Sequence, residues 1–155
     1  MSVGTERQLA VPEGNLILDL YVLQQRVGEF MEVALRGTEV RPAEYAVYSQ
    51  LGVGPMTPRE ISLRLGVTAS TLSGILTAMQ RRDHVRRRAN PDDGRSYRVE
   101  LTAAGRTRLG RCRTAFRTAL AALEDALPRP SDELRAGLLT IDEAARDAIT
   151  RLRAR

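Results

Sequence analysis

The spacing of apolar residues changes character once along this chain. Almost everywhere it steps by three or four, as on one face of a helix, but in residues 85–101 it becomes strict alternation. Val85, Arg87 and Ala89 alternate with Arg86 and Arg88. Tyr97, Val99 and Leu101 alternate with Ser96, Arg98 and Glu100. Between the runs lies Asn-Pro-Asp-Asp-Gly, a cluster of turn formers. A single β-hairpin set into a helical chain is therefore expected.

The helical stripes are explicit on both sides of it. Leu16, Leu20, Leu23, Val27, Phe30 and Ala34 mark one face of a first helix, with Asn15 as its N-cap and Gly37 as its stop. A parallel stripe, Ile17, Tyr21, Met31 and Leu35, makes that helix apolar on two adjacent faces, so it wants more than one partner. Pro42 opens a second helix holding Ala43, Val47 and Leu51. Thr57-Pro58-Arg59-Glu60 is a capping box that starts a short third helix, which Gly66 can end in the left-handed conformation. Thr68 or Ser70 then caps a fourth, with Leu72, Ile75, Leu76 and Met79 at core spacing. Its other face shows Ser70, Thr71, Ser73, Gly74 and Thr77, all small and uncharged. After the hairpin Thr102 caps a long helix carrying Leu109, Cys112, Phe116, Leu120, Leu123 and Leu127. Pro128 and Pro130 break it, and Ser131 caps the last helix, marked by Leu134, Leu138, Ile141, Ala145, Ile149 and Leu152.

Two short helices joined by a tight turn and followed by a hairpin read as a winged helix-turn-helix. The fold class expected is mainly α with a small β-hairpin wing, in which a winged helix-turn-helix part at 42–101 is flanked by helical parts at 15–37 and 102–153. The chain is long enough for a single domain spanning 1–155 with a real core.

Charge says where such a domain would meet a partner. All 24 basic residues other than His84 are arginines, and the net charge is +5. Residues 81–113 carry eleven arginines against four acids, whereas residues 1–58 are net acidic. Clustered arginine of this kind is the footprint of phosphate binding. Arg86 and Arg88 on one arm and Arg95 on the other are the candidate contacts, because a planar guanidinium grips phosphate through two hydrogen bonds and suits a narrow minor groove. The fourth helix can lie in a major groove about 12 Å wide. Acids at the tip would repel phosphate, so Asp92 and Asp93 act locally, either closing the turn or, for Asp93, also orienting Arg95.

The stretch TPREISLRLGVTASTLSGILTAMQRRDHVRRRANPDDGRSYRVELTAAG resembles the DNA-binding core of the MarR-type transcriptional regulators. Its wing shows that family's pattern of Asp, one residue, Arg, a short β run, Leu-Thr and a Gly three residues on. The resemblance by motif covers about residues 42–110. It implies a homodimer whose terminal helices interleave, and it matches Ser70, Thr71, Ser73 and Thr77 to recognition-helix positions. It makes Arg95 the residue that enters the minor groove, supported by Asp93. It also implies a repressor that leaves a pseudo-palindromic double-stranded operator when a small aromatic or anionic ligand binds. Two positions depart from the pattern: Gly74 replaces a common basic residue, and Asp83 the usual glycine.

The remaining residues suggest less. Tyr21, Tyr45, Tyr48 and Arg26 could line a ligand cleft, but core packing explains the tyrosines equally well, so no ligand residue is assigned. His84 and Cys112 read as structural, and Arg106, Arg108, Arg111 and Arg113 as mainly solvent-facing. No Ser/His/Asp set, carboxylate pair, metal-ligand cluster or phosphate-cradling loop is legible, so an enzyme is not expected, nor a cofactor or metal. A winged-helix module that binds protein instead of DNA is the alternative, disfavoured by the charge cluster. The absence of a long apolar run and of a signal-like N-terminus points to the cytoplasm, on the nucleoid when DNA is bound.

Overall fold

Local capping chemistry sets most of the helix boundaries. A computed structural model describes residues 14–91 and 93–155. Helix α1 (Leu16–Ala34) starts where the Asn15 side chain accepts hydrogen bonds from the Ile17 and Leu18 amides at 3.1 and 3.2 Å. The chain leaves it through Gly37, at φ +81°. Helix α2 (Pro42–Leu51) has proline at its first position, where the missing N–H costs nothing, and the Glu44 carboxylate accepts from the Arg41 amide at 3.2 Å.

Helix α3 (Pro58–Leu65) carries the expected capping box. The Thr57 hydroxyl accepts from the Glu60 amide at 3.2 Å, and Glu60 accepts from the Thr57 amide at 2.7 Å. Gly66 ends it at φ +65°, where an L side chain would be strained. Helix α4 (Ala69–Arg81) is capped by Thr68, not by Ser70. The Thr68 hydroxyl accepts from the Thr71 amide at 3.1 Å.

Strands β1 (Val85–Ala89) and β2 (Tyr97–Leu101) form the antiparallel hairpin, in register from Val85↔Leu101 to Ala89↔Tyr97. The alternation therefore places the side chains as read from sequence. One addition was not legible: Met56, in the α2–α3 connection, forms a bridge with Val99, with N–H to O distances of 3.1 and 2.7 Å. That bridge fastens the base of the hairpin to the helix-turn-helix.

Helix α5 (Ala103–Ala126) begins at Thr102, whose hydroxyl accepts from the Gly105 amide at 3.0 Å. Helix α6 (Ser131–Arg153) begins one residue earlier than a Ser131 cap requires. Ser131 is its first helical residue, and its hydroxyl bonds Glu124 at 3.2 Å.

The chain divides after Phe116 into two compact units. The first holds the core. Val47 and Tyr48 from α2, Ile61 from α3, Leu72 and Met79 from α4 and Cys112 from α5 are all under 2% exposed. Burying side chains of this size is worth about 1.5–3 kcal/mol each, which makes this cluster the main stabilising feature of the unit. The second unit, Arg117–Arg155, contains the end of α5 and α6. Helix α6 buries no residue, and neither does α1. Ile17, Tyr21, Leu138 and Leu152 are among their exposed apolar side chains. No single helix among the described residues is long and apolar enough to cross a membrane.

Candidate nucleic-acid interface

Burial of Leu72, Leu76 and Met79 turns the opposite side of α4 to solvent. Ser70, Thr71, Ser73 and Thr77 are all exposed there, as their spacing requires. Thr71 is partly committed, because its hydroxyl also meets that of Thr68 at 2.9 Å. Gly74 belongs to the same face, and among the described residues nothing beyond its chain neighbours and its own helix backbone lies within 4 Å of where its Cβ would be. A furrow of about 420 Å³ runs between this helix and the hairpin, with Ser73, Thr77, Arg86, Arg87 and Tyr97 on its walls. The helix and the wing thus present one continuous surface.

The three successive arginines are not equivalent. Arg87 lies over the Tyr97 ring, 4.5 Å from its centroid, so its charge is held against the hairpin's inner face. Arg86 and Arg88 project from the other face and converge on Glu100. Arg86 Nε donates to Glu100 Oε1 at 2.6 Å, and Arg88 Nη1 lies 3.7 Å from Oε2. The Arg86 hydrogen bond, with the nearby arginine charges, holds the Glu100 carboxyl below its usual range. Sequence reading missed Glu100. Its signal was the register, which puts it directly opposite Arg86.

At the wing tip, Arg95 is exposed. Asp93 Oδ1 accepts from the Arg95 main-chain amide at 3.0 Å, the local turn of the kind expected from an aspartate. Its contact with Arg95 is thus through the main chain. Asp92 lies outside the described residues.

Behind this surface, α4, the wing and α5 meet at a single joint. Asp83 takes the left-handed conformation, φ +54°, that glycine would adopt without strain, and its carbonyl accepts from the Thr102 hydroxyl at 2.6 Å. His84 is buried, and its Nδ1 lies 2.5 Å from the Tyr48 hydroxyl. Burial pushes the Tyr48 phenol up to about 12, so the hydroxyl keeps its proton in this pair. Burial first, then the charges of Arg108 and Arg82, depresses His84 below its usual value and favours a neutral imidazole beside Tyr48. The structural role read from sequence fits this geometry.

Gly105 approaches so closely that a Cβ there would fall 2.0 Å from the His84 carbonyl oxygen. Glu44 and Arg82 form an ion pair beside the joint. The expectation that Arg108 faces solvent needs correcting. Its guanidinium donates to the Thr38 carbonyl at 2.7 Å and to Glu39 at 3.0 Å, bracing the α1–α2 connection. Arg106 is exposed as expected, and its guanidinium donates to the Leu101 carbonyl at 2.8 Å. Cys112 is buried in the core, and that burial raises its thiol pKa and so disfavours the reactive thiolate.

The profile of the MarR family matches residues 40–96, from just before α2 to the wing tip. The winged-helix part of the chain is thus similar to the MarR family. The order of helices, helix-turn-helix and hairpin is shared with solved transcriptional regulators, the fold that the resemblance implied. Among curated proteins, the chain is 28% identical over 98 residues to the HTH-type transcriptional repressor YetL of Bacillus subtilis (strain 168). That match covers 61% of this chain and 59% of YetL, so it spans about three fifths of the relative's length. Among solved structures, the transcriptional repressor CouR, bound to a 23-mer DNA duplex, is 27% identical with a TM-score of 0.74, covering 89% of this chain and 99% of CouR. A probable transcriptional regulator from Pseudomonas aeruginosa is 26% identical, with a TM-score of 0.67 and coverages of 78% and 94%. The M. tuberculosis regulator MosR in complex with DNA shares the fold at a TM-score of 0.76 and 24% identity, over 87% and 98% of the two chains.

Proposed function

We propose that this protein is a sequence-specific, double-stranded DNA-binding transcriptional regulator that works as a homodimeric repressor. One observation carries the reading: the uncharged outer face of α4 and the arginine-bearing wing share a single exposed surface. In this reading Ser70, Thr71, Ser73 and Thr77 meet base edges in the major groove. Arg86 and Arg88 meet phosphate, and Arg95, held by the Asp93 turn, enters the minor groove beside it. The winged-helix part at 42–101 binds DNA, and the helices at 15–37 and 102–153 pair the subunits. Two-fold symmetry then requires a pseudo-palindromic operator with half-sites about one helical turn, roughly 10 bp, apart. The similarity to two repressors, one of them solved on a DNA duplex, supports the reading. A small aromatic or anionic ligand is the proposed release signal, and the cytoplasm, on the nucleoid, is the proposed location.

The test is a duplex selection from random sequence with the full-length chain, followed by binding measurements across salt concentrations. Affinity should fall steeply as salt rises, because neutralised phosphates release condensed cations. Arg95→Ala should weaken binding by roughly tenfold at about 150 mM salt without lowering the melting temperature. Equal affinity for parent and variant would remove the wing from the interface.

A further inference from the structure

Strand pairing stops at Ala89↔Tyr97, so the segment that carries Arg95 lies beyond the last ladder pair. A relay of side chains takes over there, and its central member is Asn90, a polar residue only 9% exposed. Arg98 Nε donates to Asn90 Oδ1 at 3.0 Å, while Arg98 Nη1 reaches the Pro55 carbonyl in the α2–α3 connection at 3.5 Å. An arginine can only donate, so this contact fixes which way the amide faces. Asn90 Nδ2 is thereby aimed at Ser96 Oγ, 2.7 Å away. The Ser96 hydroxyl, its lone pair engaged, donates its proton to the Asp93 carbonyl at 3.2 Å. Asp93 Oδ1 then takes the Arg95 amide, and the Ser96 amide bonds the Asp93 carbonyl at 3.0 Å.

The path is unbroken from the helix-turn-helix to the main chain of Arg95. It matters because Gly94 stands directly before Arg95, and a tip containing glycine would otherwise sample many directions. Ordering it only on contact with DNA would cost affinity. We infer that Asn90 is the positioning residue of the wing: it ties the tip to the α2–α3 connection and thereby aims Arg95. The inference rests on the DNA-binding reading above. It adds a specific mechanical claim, that Asn90 acts on DNA through Arg95 and not through a contact of its own.

A double-mutant cycle separates these possibilities. Duplexes selected from random sequence on the full-length parent serve as probes, at about 150 mM salt. Asn90→Ala, Ser96→Ala, Arg95→Ala and both doubles with Arg95→Ala are compared. Asn90→Ala should weaken binding roughly tenfold, close to the loss from Arg95→Ala, because both remove a seated arginine. Ser96→Ala cuts only the branch to the tip and should give a smaller loss of the same kind. In the Arg95→Ala background, neither second substitution should weaken binding by more than about twofold.

Losses that multiply in the doubles would overturn the inference, since Asn90 would then act independently of Arg95. So would an Asn90→Ala variant that binds as the parent does. If Asn90→Ala fails to fold, the Ser96→Ala arm decides by the same criteria. A parent that enriches no duplex at all would instead remove the DNA-binding reading, a result distinct from additivity in a parent that binds.

Discussion

His84 shows how much one buried side chain at a joint can decide. The folded protein favours its neutral form, hydrogen-bonded to Tyr48, whereas the unfolded chain returns it to its usual value near 6.5. The unfolded state therefore takes up a proton in a range where the folded state does not. Stability should fall as pH drops below about 6.5, and level off once pH passes the depressed folded value. Glu60 and Glu100 are shifted down by their hydrogen bonds, so the stability they contribute is lost only below about 4.5, a separate window. His84 is the only histidine, so its imidazole resonances should titrate as one curve with a midpoint below 6.5. The urea midpoint should decline from about pH 7 to 5.5, and His84→Gln should flatten that decline. A midpoint at or above 6.5 would contradict the burial argument. Residue by residue, roles set by near neighbours were legible in advance, such as the Asn15, Thr57 and Thr102 caps, whose partners lie two or three positions away. Arg108 was not, because its carbonyl partner is 70 residues distant and depends on how α5 crosses the α1–α2 connection.

At the scale of elements, two glycines do different work, and substitution should separate them. Gly66 has open space around it and needs only its left-handed φ, so Gly66→Ala should cost about 1 kcal/mol. Gly105 needs space: a methyl group would collide with the His84 carbonyl and displace the first turn of α5, breaking the bond from the Thr102 amide to that carbonyl. Gly105→Ala should therefore cost about 3 kcal/mol or more by urea unfolding, and a loss no larger than that of Gly66→Ala would refute the close-packing account. The hairpin itself was readable from alternation, since a period of two leaves little freedom in which side chains share a face. Its third member, Met56, was hidden because a single bridging residue has no period. The pairing of Glu100 with two arginines was hidden for a related reason: it needed the register as well as the faces.

For the whole molecule, the apolar stripes of α1 and α6 were evident in the sequence, but what covers them was not. In the folded chain both helices lack a buried residue, with Ile17 78% and Leu139 65% exposed. Surfaces of that kind on two long helices call for another subunit, consistent with the proposed homodimer. The melting temperature should then rise with protein concentration, because association stabilises by mass action. Leu138→Asp should shift sedimentation toward the monomer, while a concentration-independent melting curve would count against a dimer held by these helices. The contact of Gly105 with the His84 carbonyl has a consequence on this scale. No flexible side chain cushions it, and a packed interior yields very little. The carbonyl at 84 thus works as a fulcrum: a tilt at the start of α5 must lever the end of α4 and the root of the hairpin together, so the two grips on a duplex would slip or hold as one.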